Sequence, residues 1–319
     1  MDCRSIAAGL QLAEDLLFAV GMSIPRQVLP KTFYMITRRC TQRQFLLRPD
    51  DSTNATFLYC LAEAADRFGI DVILPSVMSN HHHTIVYDRH GRIIEFTEHL
   101  HKFVARAMNA LRGREENFWS SAPVSLVRLV DTNDVLDKLV YAASNPVKDQ
   151  LVDRVHHWPG VNGLSALLND RELTLRRPRH FFRSNGMMPA EATLHLVIPP
   201  ELGDPDEVRR ALRERVATVE AHHALARAGS GGTIVGRRAI TQQSWRGHPP
   251  SVEPRGGLRP RIAARRLWSR MEALVRDREF ASTYRECRKR WLAGLATVFP
   301  AGTYWLRRFA NVPIAAPAT

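Results

Sequence analysis

Residues 70–87 read Ile70-Asp71-Val72-Ile73-Leu74-Pro75-Ser76-Val77-Met78-Ser79-Asn80-His81-His82-His83-Thr84-Ile85-Val86-Tyr87. Two apolar, β-branched runs, Ile70 to Met78 and His81 to Tyr87, flank the turn pair Ser79-Asn80, and the polar stretch Asp88-Arg89-His90-Gly91 closes the second run. This pattern predicts a β-hairpin. Upstream, Pro30-Lys31 introduces Thr32 to Thr37, a β-branched and aromatic run that predicts a first strand. Between that strand and the hairpin, Asp51 and Ser52 offer caps for a helix from Thr53 to Phe68, ended by Gly69. Downstream lie an amphipathic helix over Ile93 to Leu111, a short strand over Val124 to Val130, and a helix capped by Asp131 to Asp134 that Pro146 should stop. The order β-α-β-β-α-β-α predicts an α+β fold, a small antiparallel sheet covered by helices in the split βαβ manner, ending near residue 160.

Beyond that core, Arg171 to Arg183 is basic, Ala192 to Ile198 reads as a strand, and Asp204-Pro205 starts a helix reaching Ala228. Residues 229–257 are rich in Gly, Ser, Pro and Arg and read as a loop. A basic helix is expected over 261–299, broken near 278–282. The chain thus divides into an N-terminal segment 1–28, a core domain 29–160 and a mainly helical basic region 161–319.

Charge follows the same division. The net charge is +13, yet the first 150 residues balance 17 basic against 17 acidic side chains, whereas residues 151–319 hold 28 against 15. The excess is mostly arginine, whose planar fork suits phosphate oxygens, and nucleic acid is the polyanion such a surface most often meets. No run of about 18 apolar residues could span a bilayer, and Glu14 and Asp15 interrupt any signal-peptide core, so a soluble cytoplasmic protein is expected. Cys3, Cys40, Cys60 and Cys287 are scattered without a CxxC pair and suggest reduced thiols.

Two segments carry chemistry. Strand alternation puts His81 and His83 on one face and His82 on the other, so His81 and His83 are a natural ligand pair for a divalent cation; histidines merely hydrogen-bonded at a strand end are the plain alternative. In Leu139-Val140-Tyr141-Ala142-Ala143-Ser144-Asn145-Pro146-Val147, Tyr141 and Asn145 stand four apart and share a helical face. If that face meets the histidine strand, Asn145 becomes a third ligand with the Tyr141 phenol beside it, a nucleophile-plus-metal design. Otherwise Tyr141 is a core residue. Arg112 and Arg114 flank Gly113 as candidate backbone contacts, and Trp119 as a stacking platform for an unpaired base or a core aromatic. Arg176, Arg177 and Arg179 interleave with His180, Phe181 and Phe182 as in single-strand binders. His99 and His101 read as helix-packing residues.

Over Phe33 to Gly160 the chain resembles the single-tyrosine HUH transposases, and within them the REP-associated tyrosine transposases. The resemblance rests on Thr37-Arg38-Arg39 with Gln42-Arg43-Gln44-Phe45, on Met78-Ser79-Asn80-His81-His82-His83 against a Met-Pro-Asn-His-x-His pattern, on Asn109 with Arg112-Gly113-Arg114 and Trp119, and on Tyr141 followed by Asn145-Pro146-Val147. It implies a ferredoxin/RRM-like HUH endonuclease core, with His81, His83 and Asn145 holding Mg²⁺ or Mn²⁺ and Tyr141 as the nucleophile. The implied reaction cleaves and rejoins single-stranded DNA, hairpin-containing in many family members, through a 5′-phosphotyrosine. Arg38 and Arg39 join the expected DNA-binding set, and the protein would act near the nucleoid as a monomer or homodimer. Two departures stand out: His82 sits where the family has a bulky hydrophobic residue, and Ser79 replaces the proline. A non-catalytic nucleic-acid binder with the same sheet, or a histidine-metal phosphodiesterase using water, are the rival readings.

Overall fold

A computed structural model describes residues 25–251 and 260–317. The expected strands are present in order: β1 (Thr32–Arg39), β2 (Ile70–Val77), β3 (His81–Asp88) and β4 (Ser125–Leu129), with β2 and β3 forming the hairpin. Their lateral order is β2-β3-β1-β4, antiparallel at every junction. A short β7 (Ile262–Ala263) adds a parallel fifth strand beyond β4, so the sheet is mixed. No separate signal in two residues announces that strand. Its Arg261 carbonyl accepts the Arg128 N–H at 2.9 Å and covers what would otherwise be an open sheet edge.

Helices α1 (Asp51–Phe68) and α2 (Ile93–Arg112) lie against one face of the sheet. Asp50 caps α1 by accepting from Thr53 N at 2.7 Å, and Gly69 ends it in the left-handed conformation that glycine adopts without penalty. Phe57 of α1 and His101 of α2 both meet His82 of β3, which identifies the helix-covered face as the His82 face. The opposite face is covered by α3 (Thr132–Lys148). Strand alternation therefore divides the three histidines as expected.

Helix α3 runs two residues past Pro146, where the sequence predicts a stop. Proline forfeits one helical hydrogen bond, but the chain recovers others at this point: Leu151 N bonds the Pro146 carbonyl and Asn162 Nδ2 bonds the Ala143 carbonyl, both at 2.9 Å. With Pro146 and Val147 buried, packing outweighs the local penalty.

The chain after residue 160 wraps the core. Val161 O accepts from Val77 N, Gly163 N donates to Pro75 O, and Val197 N donates to Val72 O, so two segments, 161–163 and the stretch at Val197, run along the outer edge of β2. After α4 (Leu164–Leu168), the basic stretch forms β5 (Leu173–Arg176), paired with β6 (Glu191–Leu194) in a second small sheet that packs on α1. The strand expected over 192–198 is thus shorter and starts earlier. Helix α5 (Pro205–Ser230) lies on α3, capped by Asp204. Within the expected loop 229–257, Arg237–Gln242 forms α6, whereas residues 252–259 fall outside the described range. Helix α7 (Leu267–Leu292) passes unbroken through 278–282, because Phe280 and Ala281 are buried there and anchor it. A short α8 (Trp305–Ala310) follows. Among the described residues no helix is long and apolar enough to cross a membrane.

Candidate active site

The site forms where the N-terminal end of β3 passes under the C-terminal half of α3. His81 and His83 rings stand 4.8 Å apart between centroids, and the His83 ring lies 5.5 Å from that of Tyr141. Asn145 Nδ2 reaches 3.4 Å from His81 Nε2. The four residues singled out in two distant segments are therefore brought together.

Each imidazole is oriented from behind. Asn80 donates through Nδ2 to the Arg43 carbonyl at 3.2 Å, which leaves its Oδ1 to accept the His81 Nδ1–H at 2.7 Å. The Nε2 lone pair of His81 consequently faces Asn145. The Arg43 carbonyl is aimed at Asn80 by consecutive left-handed residues, Gln42 (φ 48°) and Arg43 (φ 58°), a conformation costly for side chains other than glycine. His83 Nδ1 pairs with Thr37 Oγ1 at 2.8 Å, and with that nitrogen donating, its Nε2 keeps a free lone pair. This Nε2 is buried and has no hydrogen-bond partner. Burial, together with the neighbouring His81, holds the His83 pKa well below its ordinary value, so the ring is neutral at pH 7. A neutral imidazole whose Nε2 is left free by a partner on Nδ1, as in His83, has the form a divalent metal requires of histidine. Asn145 presents its amide nitrogen to His81, so its Oδ1 would reach this point only after the amide turned. Among the described residues no group of three or more His, Cys, Asp or Glu side chains could hold a metal.

Tyr141 is half-buried, and burial first, then the Asp149 carboxylate, raise its phenol above the usual pKa. The resting side chain is a neutral phenol. Two ammonium groups lie against its ring, Lys148 at 4.8 Å and Lys138 at 5.6 Å from the centroid. These lysines were not among the sequence candidates, although their spacing of three and seven residues from Tyr141 places them on its helical face. Thr37 and Asn80 were visible only as pattern residues; their roles depend on register and turn geometry.

The expected DNA-contacting residues separate into groups. Arg39 is the cross-strand neighbour of His81 and is exposed, so it stands at the site. Arg38 points to the other face, where Nη1 donates to His101 Nδ1 at 3.2 Å and the guanidinium lies 5.5 Å from the Trp119 ring. That bond fixes a buried chain: His101 Nε2–H donates to His82 Nε2 at 2.9 Å, and His82 Nδ1–H to Thr84 Oγ1 at 3.0 Å. Trp119 donates its indole N–H to the His101 carbonyl and is buried, so it is a core aromatic and not an open stacking platform. Arg112 is likewise corrected: it bonds Asp50 Oδ2 at 3.0 Å and Thr53 Oγ1 at 2.7 Å, clamping the start of α1. Arg114 bonds Gln44 and lies near the Trp245 ring. Arg177 holds its own loop through the Met188 and Ser184 carbonyls, while Arg176 and Arg179 are exposed. Arg176 ends β5 of the small sheet on α1 and Arg177 and Arg179 follow it in the chain, with Phe182 beyond them packing on Tyr59 and Phe103. They therefore lie with the helical layer, away from the His81 face.

The Arg112 correction is testable. Arg112→Ala should lower unfolding stability by about 2 kcal/mol, because it removes two hydrogen bonds at the start of α1 while Arg48 keeps its 3.0 Å bond to Asp50, and the salt dependence of DNA affinity stays unchanged. Denaturant melts and binding at several salt concentrations measure both.

No family model matches the sequence, and no curated protein matches it. Among solved structures, a REP-associated tyrosine transposase bound to a REP hairpin aligns with 15% identity and a TM-score of 0.39, covering 51% of this chain and 88% of that one.

Proposed function

We propose that the protein is a divalent-metal-dependent DNA strand transferase in which Tyr141 is the nucleophile and His81, His83 and Asn145 hold Mg²⁺ or Mn²⁺. The observation that carries this reading is the meeting of a partnerless, buried His83 Nε2 with His81, Asn145 and the Tyr141 ring at one point of the fold. When bound, the cation would supply Lewis-acid polarisation of a phosphate oxygen.

The chain's own groups account for the rest. The Tyr141 oxygen forms a bond to phosphorus, the phenolic proton leaves, and the bond from phosphorus to the 3′ oxygen breaks, releasing a 3′-hydroxyl and a 5′-phosphotyrosine. Lys138 and Lys148 stand where they stabilise the negative charge that gathers on the phosphate and on the phenol oxygen as it sheds its proton. Since the resting phenol is above its usual pKa, this stabilisation matters only once a phosphate has entered. The phosphotyrosine conserves the phosphodiester energy, so a second 3′-hydroxyl can reverse the step, which makes the outcome transfer and not hydrolysis. Arg39, at the edge of the site, would contact the DNA backbone. Single-stranded DNA, hairpin-containing, is the substrate this reading names, with a ferredoxin/RRM-like HUH core as its scaffold.

Incubation with labelled single-stranded DNA and Mn²⁺, followed by a denaturing gel, tests the proposal. A covalent protein–DNA adduct is expected, abolished by chelator and reduced about 10- to 100-fold or more by Thr37→Val, which removes the partner orienting His83. Cleavage without an adduct would instead indicate a water-using phosphodiesterase.

A further inference from the structure

At the far end of β1 from the histidines, and on the opposite face of the sheet, a small cleft opens to solvent. Its floor is Tyr34 and Arg128, cross-strand partners on β1 and β4; its walls are Arg26, Gln27 and Arg261, with Asp277 of α7. Three guanidinium groups face one carboxylate. Arg128 satisfies that carboxylate, bonding Asp277 Oδ1 at 3.0 Å, and Arg261 is occupied by the Pro25 carbonyl at 3.1 Å. Arg26 Nη1 is buried and has no hydrogen-bond partner, and so has Gln27 Oε1, whose amide nitrogen donates to the Ala301 carbonyl.

A buried guanidinium nitrogen without a hydrogen-bond partner, beside another arginine, is costly in isolation, and its natural complement is an oxyanion. Burial first, then repulsion from Arg261, depresses the Arg26 pKa, the sign of an uncompensated cation. Tyr34, whose phenol is pushed up to about 12 mainly by burial, stays protonated and can donate. Gln27 Oε1 offers an acceptor for a proton on the ligand.

We propose that this cleft is a phosphate-binding site, separate from the Tyr141 site, in which Arg26 and Arg261 grip the oxyanion and Gln27 accepts a hydrogen bond from a protonated phosphate oxygen. Two sources share this chemistry, free phosphate and the backbone of bound DNA. The unpaired Gln27 acceptor favours free phosphate, because a phosphodiester carries no proton to give it. The proposal does not depend on the strand-transfer reading.

The full chain is titrated with inorganic phosphate, and with sulfate, at constant ionic strength, following calorimetric heat and thermal unfolding. One saturable phosphate equivalent, bound more tightly than sulfate, is expected. Arg26→Gln should weaken that equivalent at least about tenfold, the loss of a charged hydrogen bond, and Arg26→Lys should weaken it less. Because Arg26 has no partner to lose, the Gln variant should unfold no earlier than the parent in phosphate-free buffer. A parallel measurement of single-stranded DNA affinity against salt separates the sources: a slope unchanged in Arg26→Gln assigns the site to free phosphate, and a slope smaller by about 0.7 assigns it to a DNA phosphate. A phosphate response and a DNA slope both identical between Arg26→Gln and the parent overturn the proposal, as does a parent that shows no saturable phosphate binding and no Arg26-dependent DNA contact.

Discussion

Tyr141→Phe abolishes the covalent protein–DNA adduct and lowers strand cleavage by at least about four orders of magnitude, while leaving the fold and DNA affinity nearly unchanged. The size follows from removing the only proposed nucleophile from a group of residues that act as a unit, a change that costs other enzymes about as much as removing the whole set. The fold should survive because Tyr141 is only half-buried, and phenylalanine keeps the ring contacts with His83, Lys138 and Lys148. Single-turnover cleavage, circular dichroism and filter binding report the three quantities. A variant that still forms the adduct would place the nucleophile elsewhere and end the Tyr141 assignment. By contrast, Lys148→Met should slow adduct formation without eliminating it, since it removes charge stabilisation and not the attacking atom.

The second large effect is acid sensitivity. Burial holds His82 down to about 3 and keeps His101 well below the usual range, so both are neutral in the folded protein across the physiological window. In the unfolded chain they titrate near about 6.5. The unfolded state therefore binds more protons below that pH, and folding stability is full above it and falls as pH drops toward the folded pKa values. Each histidine contributes a slope of about 1.4 kcal/mol per pH unit, so by pH 5 the pair removes about 4 kcal/mol, a large share of a typical total of about 5–15 kcal/mol. Lowering the pH from 7.5 to 5 should cut the melting temperature by on the order of 10 °C. Replacing both, as His82→Leu with His101→Leu, should reduce that dependence, with buried His83 keeping part of it, even if it lowers stability at pH 7.5 by removing the His101 partner of Arg38. An equal pH slope in the double variant would show that other groups govern acid unfolding.

Lys138 and Lys148 show how a helix can be read correctly and still under-read. Their spacing from Tyr141 was available, but on most helices lysines are solvated surface, and only the packing of α3 onto the His81 face gives that row of residues a site to serve. Trp119 and Arg112 show the reverse. Both residue types suit nucleic acid, yet burial and internal hydrogen bonds commit them to the fold: Trp119 to the His101 carbonyl, Arg112 to Asp50.

The strand over 262–263 and the unbroken course of α7 escaped the sequence for related reasons. A two-residue strand has no periodicity, and the continuity of α7 depends on Phe280 and Ala281 finding a buried place against the rest of the chain. Local propensity contains neither fact.

What the sequence determined by itself was whatever depends on short-range periodicity. The alternation in β3 assigned His81 and His83 to one face and His82 to the other, and the helical repeat put Tyr141 and Asn145 side by side. What only the tertiary structure decided was which faces meet, because contact between residues 58 or more positions apart, such as His83 with Tyr141, is settled by packing and not by spacing. That packing leaves His83 Nε2 buried without a partner, gathers Arg26, Arg128 and Arg261 around one cleft, and turns Arg38 away from the histidine pair that its own sequence neighbour Arg39 adjoins.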